Sequence, residues 1–208
     1  TIYDYEGLMS KRQIAQVCFD GSVDWAKKRM RVLFENGYIK QPDEDDMHRV
    51  PRGEWLYWLD RLGLEVIAGL KGEEPLYTDK VRSEAPQWAK VEHDLALNDV
   101  RLIIMAALAQ LPALTLVDWI NEKILTHWAD EVTWKQPNGR PAKKRFAMDG
   151  FFSIRSNSDG RMFAYLLEID KGTHSNPAFV DEKVRPGLAY ITSPAYEQRF
   201  GVKYGRYL

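Results

Sequence analysis

The chain has 208 residues, of which 45% are apolar, 28% charged and 12% aromatic, a balance that excludes collagen, coiled coil and wholesale disorder. No apolar run reaches the ~18 residues of a membrane span, and the richest, Leu102 to Leu111, contains Gln110. One cysteine, Cys18, excludes an internal disulfide and a cysteine-cluster zinc site. With no secretory leader at the N-terminus, the cytoplasm is the expected compartment. The chain opens on Thr1 instead of Met, so a trimmed upstream end is expected.

The net charge of −1 conceals an uneven distribution. Ser10 to Lys40 carries +4, Gln41 to Asp46 carries −4, and a second basic run lies at Arg140, Lys143, Lys144 and Arg145. Patches of this kind bind nucleic acid without any overall attraction.

Met9 to Phe19 has helical periodicity through Ile14, Val17 and Cys18, with Cys18 read as a small buried hydrophobe. Ser10 and Gln13 have the spacing of a capping box. Asp20-Gly21-Ser22 breaks that helix, and Ser22 caps the next, Val23 to Asn36. Ala26, Met30, Leu33 and Phe34 form its apolar face, opposite Lys27, Lys28, Arg31 and Glu35. Two short helices around a tight turn, the second basic outside, read as a helix-turn-helix. Tyr38 to Lys40 as a strand, the acidic turn after it and a return over His48 to Tyr57 fit a wing. Leu59 to Leu70 is read as a third helix. Residues 1–72 are therefore expected to form a winged-helix DNA-binding domain, and 73–82 a linker containing Pro75.

Residues 83–208 read as an α/β domain with a mixed sheet, so the expected class is α+β. Its first helix, His93 to Leu111, has a narrow polar stripe of Asp94, Asn98 and Arg101 and is expected to be buried within that domain. Leu114 to Leu125 is ambiguous between strand and helix, and 135–145 is read as a polar loop. Phe146 to Ile154 and Met162 to Ile169 are read as strands joined by a turn over Ser156 to Gly160. Phe179 to Phe200 reads as helical, interrupted at Pro186-Gly187 and Pro194.

Three acids carry the chemical interest. Asp149 lies in the first strand of that hairpin, and Glu168 and Asp170 lie near the end of the second, where period two puts them on one face. Buried carboxylates cost several kcal/mol unless paired, so they must end a strand, pair with bases or hold a metal. An aspartate on one strand and an acid-x-Lys on the next form the Mg²⁺ site of many nucleases. Here Glu168-Ile169-Asp170-Lys171 puts Asp170 in the lysine position and Lys171 one residue late. Lys183, on the following helix, is the amine able to reach back. The alternative is a non-catalytic network with Arg101, Lys171 or Arg185. The four histidines lack helical metal-ligand spacing, although His174 could line the same cleft.

His-Asp-Leu-Ala-Leu-Asn-Asp-Val at 93–100, Met-Asp-Gly-Phe-Phe at 148–152 and Leu-Glu-Ile-Asp-Lys-Gly-Thr at 167–173, followed by Lys183 and Tyr190, resemble the replication-relaxation family of mobile elements. Met148 stands where that family usually has Pro, and the chain ends where the family continues along a strand, so a truncated or short member is expected. The resemblance implies a winged helix followed by a restriction-endonuclease-like domain. It also implies DNA binding in the replication, copy control or transfer of a mobile element.

The expected function is binding of duplex DNA, without catalysis. Asp24, Lys27, Lys28 and Arg31 would face bases and phosphates, while Lys11, Arg12, His48, Arg49 and Arg52 would contact backbone. One alternative is a Mg²⁺-dependent endonuclease using Asp149, Glu168, Asp170 and Lys183. Another is an adaptor recruiting a relaxase or replication initiator. Replication or transfer proteins and a second copy of the chain are the other expected partners.

Overall fold

In the computed structural model, the described residues are 1–51, 53–72, 84–170, 176–203 and 205–208. The expected linker, 73–82, lies outside them, as do Arg52, Lys171 and His174. Among the described residues, helices are mixed with three separate sheets. It divides into two compact units, Thr1–Leu102 and Ile103–Leu208. Among the described residues no helix is long and apolar enough to cross a membrane.

Unit 1 begins with β1 (Leu8–Ser10), α1 (Lys11–Cys18) and α2 (Val23–Glu35). Ser10 and Gln13 make the expected reciprocal capping box, and Ser22 accepts from the Trp25 amide at the start of α2. The turn between the helices needs left-handed backbone at Asp20 (φ 48°) and Gly21 (φ 84°), a conformation that glycine adopts freely and aspartate tolerates. β2 (Ile39–Lys40), β3 (Leu56–Leu59) and α3 (Arg61–Lys71) follow. The expected return strand over His48 to Tyr57 is confined to β3, with a 3₁₀ turn at Met47–Arg49.

β3 is central in an antiparallel sheet of order β1-β3-β2. Its four residues are all buried, and alternation sends them to opposite faces. Tyr57 and Leu59 pack with Met9, Ile14, Ala26 and Met30 under the first helices. Leu56 and Trp58 pack instead with Leu8, Val91 and Leu95.

Val91 and Leu95 belong to α4 (Val91–Ala109), which runs through the division between the units. Its buried positions, including Leu97, Asn98 and Leu102, fall in its first part, whereas Ile103 and Met105 are exposed. The helix is thus not enclosed within the second domain as its composition suggested. Its polar stripe has a structural use in unit 1. Asn98 donates to the Leu8 carbonyl at 2.7 Å, and Gln13 donates to the Leu95 carbonyl and to Asp99, each at 2.8 Å.

Unit 2 holds a four-stranded mixed sheet of order β4-β7-β8-β9. The ambiguous segment after α4 resolves into β4 (Leu114–Asn121) and α5 (Glu122–His127), the latter capped by Asn121. β5 (Asp130–Lys135) and β6 (Pro141–Phe146) form a separate two-stranded ribbon. The stretch read as a polar loop is therefore largely strand. Phe146 ends that ribbon instead of opening the next strand.

β7 (Gly150–Ser156) and β8 (Met162–Leu167) form the expected hairpin. A short helical turn, α6 (Asn176–Phe179), leads into a π-helical segment at Val180–Val184. Then come α7 (Arg185–Ile191), α8 (Pro194–Phe200) and β9 (Gly205–Tyr207), which lies parallel to β8. Pro186 and Gly187 do not interrupt α7. The proline lies where the π segment passes into α7, and the Glu182 carbonyl four residues before it, which a proline cannot serve, accepts from the Lys144 amine; a Cβ on Gly187 would lie 2.3 Å from the Tyr207 ring. The core joins Phe151, Ala164 and Leu166 of the sheet to Tyr190 and Tyr196 of the helices and to Val132 and Phe146 of the ribbon.

Asn98→Ala should lower stability by about 1–3 kcal/mol, the cost of leaving a buried carbonyl without its donor. Chemical denaturation of the full chain measures this, and an unchanged midpoint would refute the role given to Asn98.

Candidate functional site

Two groups of side chains present chemistry, one in each unit. In unit 1 the exposed face of α2 carries Asp24, Trp25, Lys27, Lys28 and Arg31. Helical spacing separates these residues from Ala26 and Met30, which are buried below. Trp25 is 63% exposed, and the Lys28 amine lies 4.9 Å from its ring centroid. From the sequence Trp25 reads as core, since seven tryptophans in two small domains are most simply buried. Phe34, assigned to the buried face, is 41% exposed. Arg31 donates to Glu35 one turn on at 2.7 Å, a solvent-facing pair of small energetic worth.

Lys11, Lys27 and Arg31 border an open groove of about 460 Å³ with Trp55 and Tyr57. His48 and Arg49 are exposed on the 3₁₀ turn, where Arg49 pairs with Asp46. Arg12 is engaged elsewhere. Its guanidinium donates to both Asp99 oxygens, at 3.0 and 2.8 Å, and lies 3.5 Å from Glu54. Those interactions, the Asp99 hydrogen bond first, raise its pKa. Cys18 is exposed, its thiol 3.5 Å from the Thr1 hydroxyl, and is not the buried hydrophobe expected.

In unit 2 the hairpin register brings Asp149 and Glu168 together. Gly150 pairs with Leu167, so the residues just outside that pair are neighbours. Asp149 is buried, donates its amide to the Leu167 carbonyl and accepts from the Ile169 amide at 2.8 Å. Lys183 reaches back to Glu168 and forms an ion pair in which the carboxylate is 3% exposed and the amine side 28%. The lysine sits in the π-helical segment, a geometry that often marks functional positions in helices.

β8 stops at Leu167, so Glu168, Ile169 and Asp170 follow irregular backbone. The shared face expected for Glu168 and Asp170 required a continuing strand and is not formed by one. Asp170 is exposed.

Tyr207 joins this cluster without any motif that points to it. Its hydroxyl donates to Glu168 at 3.4 Å and lies 3.2 Å from the Lys183 carbonyl. Gly187, whose missing side chain leaves room for the Tyr207 ring, marks a close approach in the sequence without naming the residue that makes it.

Burial, followed by the charge of Asp149, raises the Glu168 pKa, against the opposing pull of Lys183 and Tyr207. Burial disfavours the Lys183 cation, but the bond to Glu168 and the charges of Glu168, Asp149 and Glu122 outweigh it and leave the pKa raised. The amine thus holds its proton in a pocket of carboxylates. Tyr190, matched in the sequence to the family's helix, is separate from this cluster. It donates to Asp130 at 2.6 Å, and Arg199 grips both oxygens of the same carboxylate at 2.7 and 2.6 Å. The Arg199 bond, opposed by burial, holds Asp130 below the usual carboxylate range.

Replacing Lys183 by Met leaves Glu168 buried without its cation. The expected loss is about 2–3 kcal/mol near neutral pH, less than for a fully buried pair because the lysine is partly solvated. The deficit should shrink on acidification, since a protonated Glu168 needs no counter-charge. Denaturation of both proteins across pH checks the sign, and a pH-independent deficit would remove Glu168 as the cause.

Comparison with curated proteins and with solved structures gave no match in either case. A protein-family comparison matched the replication-relaxation family over residues 2–202. With nearly its whole length matched by that one family and the motif acids of the hairpin brought side by side, the chain belongs to the replication-relaxation family.

Proposed function

We propose that the protein binds duplex DNA in the replication, copy control or transfer of a mobile genetic element, with unit 1 acting as a winged helix and α2 as its reading helix. The observation that carries this reading is the exposed α2 face, where Lys27, Lys28 and Arg31 project while Ala26 and Met30 anchor the opposite side. β1 precedes the helix pair and β2 and β3 follow it, closing a β1-β3-β2 antiparallel sheet whose long β2–β3 connection would be the wing. A helix so mounted enters the major groove, where base edges are distinguishable. Lys11 on the groove rim, with His48 and Arg49 on the wing, would contact phosphates. Trp25 adds a flat surface beside Lys28.

The triple variant Lys27→Ala, Lys28→Ala, Arg31→Ala should lose affinity for duplex DNA. Its slope of log K against log salt should fall by about 0.9 for each phosphate contact removed. Fluorescence anisotropy titrations at several salt concentrations measure both. Unchanged affinity would exclude α2 as the reader.

The convergence of Asp149, Glu168 and Lys183 favours a second reading, a divalent-metal-dependent endonuclease in unit 2. A mixed sheet in which β4, β7 and β8 are antiparallel neighbours, with α5 and the β5–β6 ribbon inserted between β4 and β7 and with β9 reached by a helical crossover, supports a nuclease-like framework. The oxygen donors of Asp149 and Glu168 suit Mg²⁺, which would polarise a phosphate and activate water. Lys183 would neutralise developing charge, and Tyr207 would hold the Glu168 carboxylate in place. Nicking of supercoiled plasmid in Mg²⁺ or Mn²⁺ that is lost in Asp149→Ala and in Glu168→Ala is the result expected of this reading. Absence of nicking, or nicking that survives both substitutions, excludes it.

A further inference from the structure

The β5–β6 ribbon carries charge that neither reading above uses. Its register pairs Glu131 with Arg145, Thr133 with Lys143 and Lys135 with Pro141. Those six residues are all exposed, and by period two they share one face. The opposite face holds Val132, Trp134, Ala142 and Phe146, and Val132 and Phe146 join the core of unit 2. The root is fixed as well, because Asp130 is gripped by Arg199 and Tyr190. The Lys144 amine donates to the Glu182 carbonyl. The ribbon's orientation is therefore set by packing and its outer face is held toward solvent.

On that outer face stand Lys135, Lys143 and Arg145, with Arg140 at the exposed turn, against the single acid Glu131. Glu131 pairs with Lys143 at 2.7 Å, which leaves the end of the ribbon, Lys135 and Arg140, without a nearby acid on its own strands. The face carries no aromatic or large aliphatic side chain. That composition lacks the stacking platform that single strands need and the apolar anchor typical of a protein interface. It suits a regular array of phosphates. Six-residue strands span about 20 Å, several phosphate spacings along one strand of a duplex.

We propose that the outer face of the β5–β6 ribbon is a second duplex-DNA contact, made through the phosphate backbone by Lys135, Arg140, Lys143 and Arg145 and independent of α2. The inference rests on the DNA-binding reading above and extends it to unit 2. The ribbon supplies affinity without sequence preference, since phosphate contacts position a protein but carry no base information.

The test uses the full chain, a fluorescent mixed-sequence duplex and anisotropy titrations over a range of salt. In Lys135→Ala, Arg140→Ala, Lys143→Ala the dissociation constant should rise about tenfold or more, and the log–log salt slope should shrink by about 2–3. The charge-conserving variant Lys135→Arg, Arg140→Lys, Lys143→Arg should retain both values. Arg140→Gln alone, at the turn where no core contact is lost, should reduce the slope by about 0.9. An unchanged slope in the ribbon variants, with binding lost in the α2 triple variant, overturns the ribbon contact and leaves the α2 reading standing. Failure of the unaltered protein to bind any duplex overturns both. Loss confined to single-stranded RNA, or to an acidic protein probe, with duplex affinity intact, overturns the proposal in favour of that other partner.

Discussion

Unit 1 depends on covering the second face of β3. Leu56-Tyr57-Trp58-Leu59 is apolar at every position, and a strand sends alternate residues to opposite sides. α1 and α2 cover only the side of Tyr57 and Leu59. Leu56 and Trp58 would meet water without Val91 and Leu95, and exposing one such side chain costs about 1.5–3 kcal/mol. The first part of α4 is thus a structural part of unit 1. Asn98, Asp99 and Gln13 fix its placement with directional bonds that apolar packing alone lacks. A consequence is that the basic face of α2 stands on a scaffold closed by residues some seventy positions further along the chain.

Much of unit 1 was legible because its signals are local. The capping box at Ser10 and Gln13, the turn at Asp20-Gly21 and the cap at Ser22 each act within a few residues. The partnership of α4 was not legible, because its polar stripe reads equally well in either unit until Leu8 and Leu95 supply the acceptors. The ribbon was missed for another reason. Residues 135–145 contain two prolines, a glycine and a run of cations, all turn or loop signals. The ladder between β5 and β6 and the burial of Val132 and Phe146 override those local preferences.

In unit 2, the pairing of Asp149 with Glu168 could be read from a hairpin whose turn chemistry is strong. The approach of Lys183 followed from elimination, since Lys171 had the wrong parity for a regular strand. Lys183 does contact Glu168, although the strand whose parity pointed to it ends before Glu168. Tyr207 was beyond reach, because it arrives on a parallel strand after a helical crossover and no spacing rule links it to the hairpin.

The π-helical segment bearing Lys183 has an implication for how this chain tolerates length changes. A π segment accommodates an extra residue in an otherwise α-helical run, so a single deletion within Val180–Val184 is the natural route back to regular helix. Each residue of an α-helix turns the side-chain direction by about 100°. Such a deletion would swing the lysine away from Glu168 while leaving most of the helix intact, whereas an equal deletion in an exposed turn would move no charge at all. The contact between Lys183 and Glu168 therefore depends on the residue count of this segment as well as on the lysine itself.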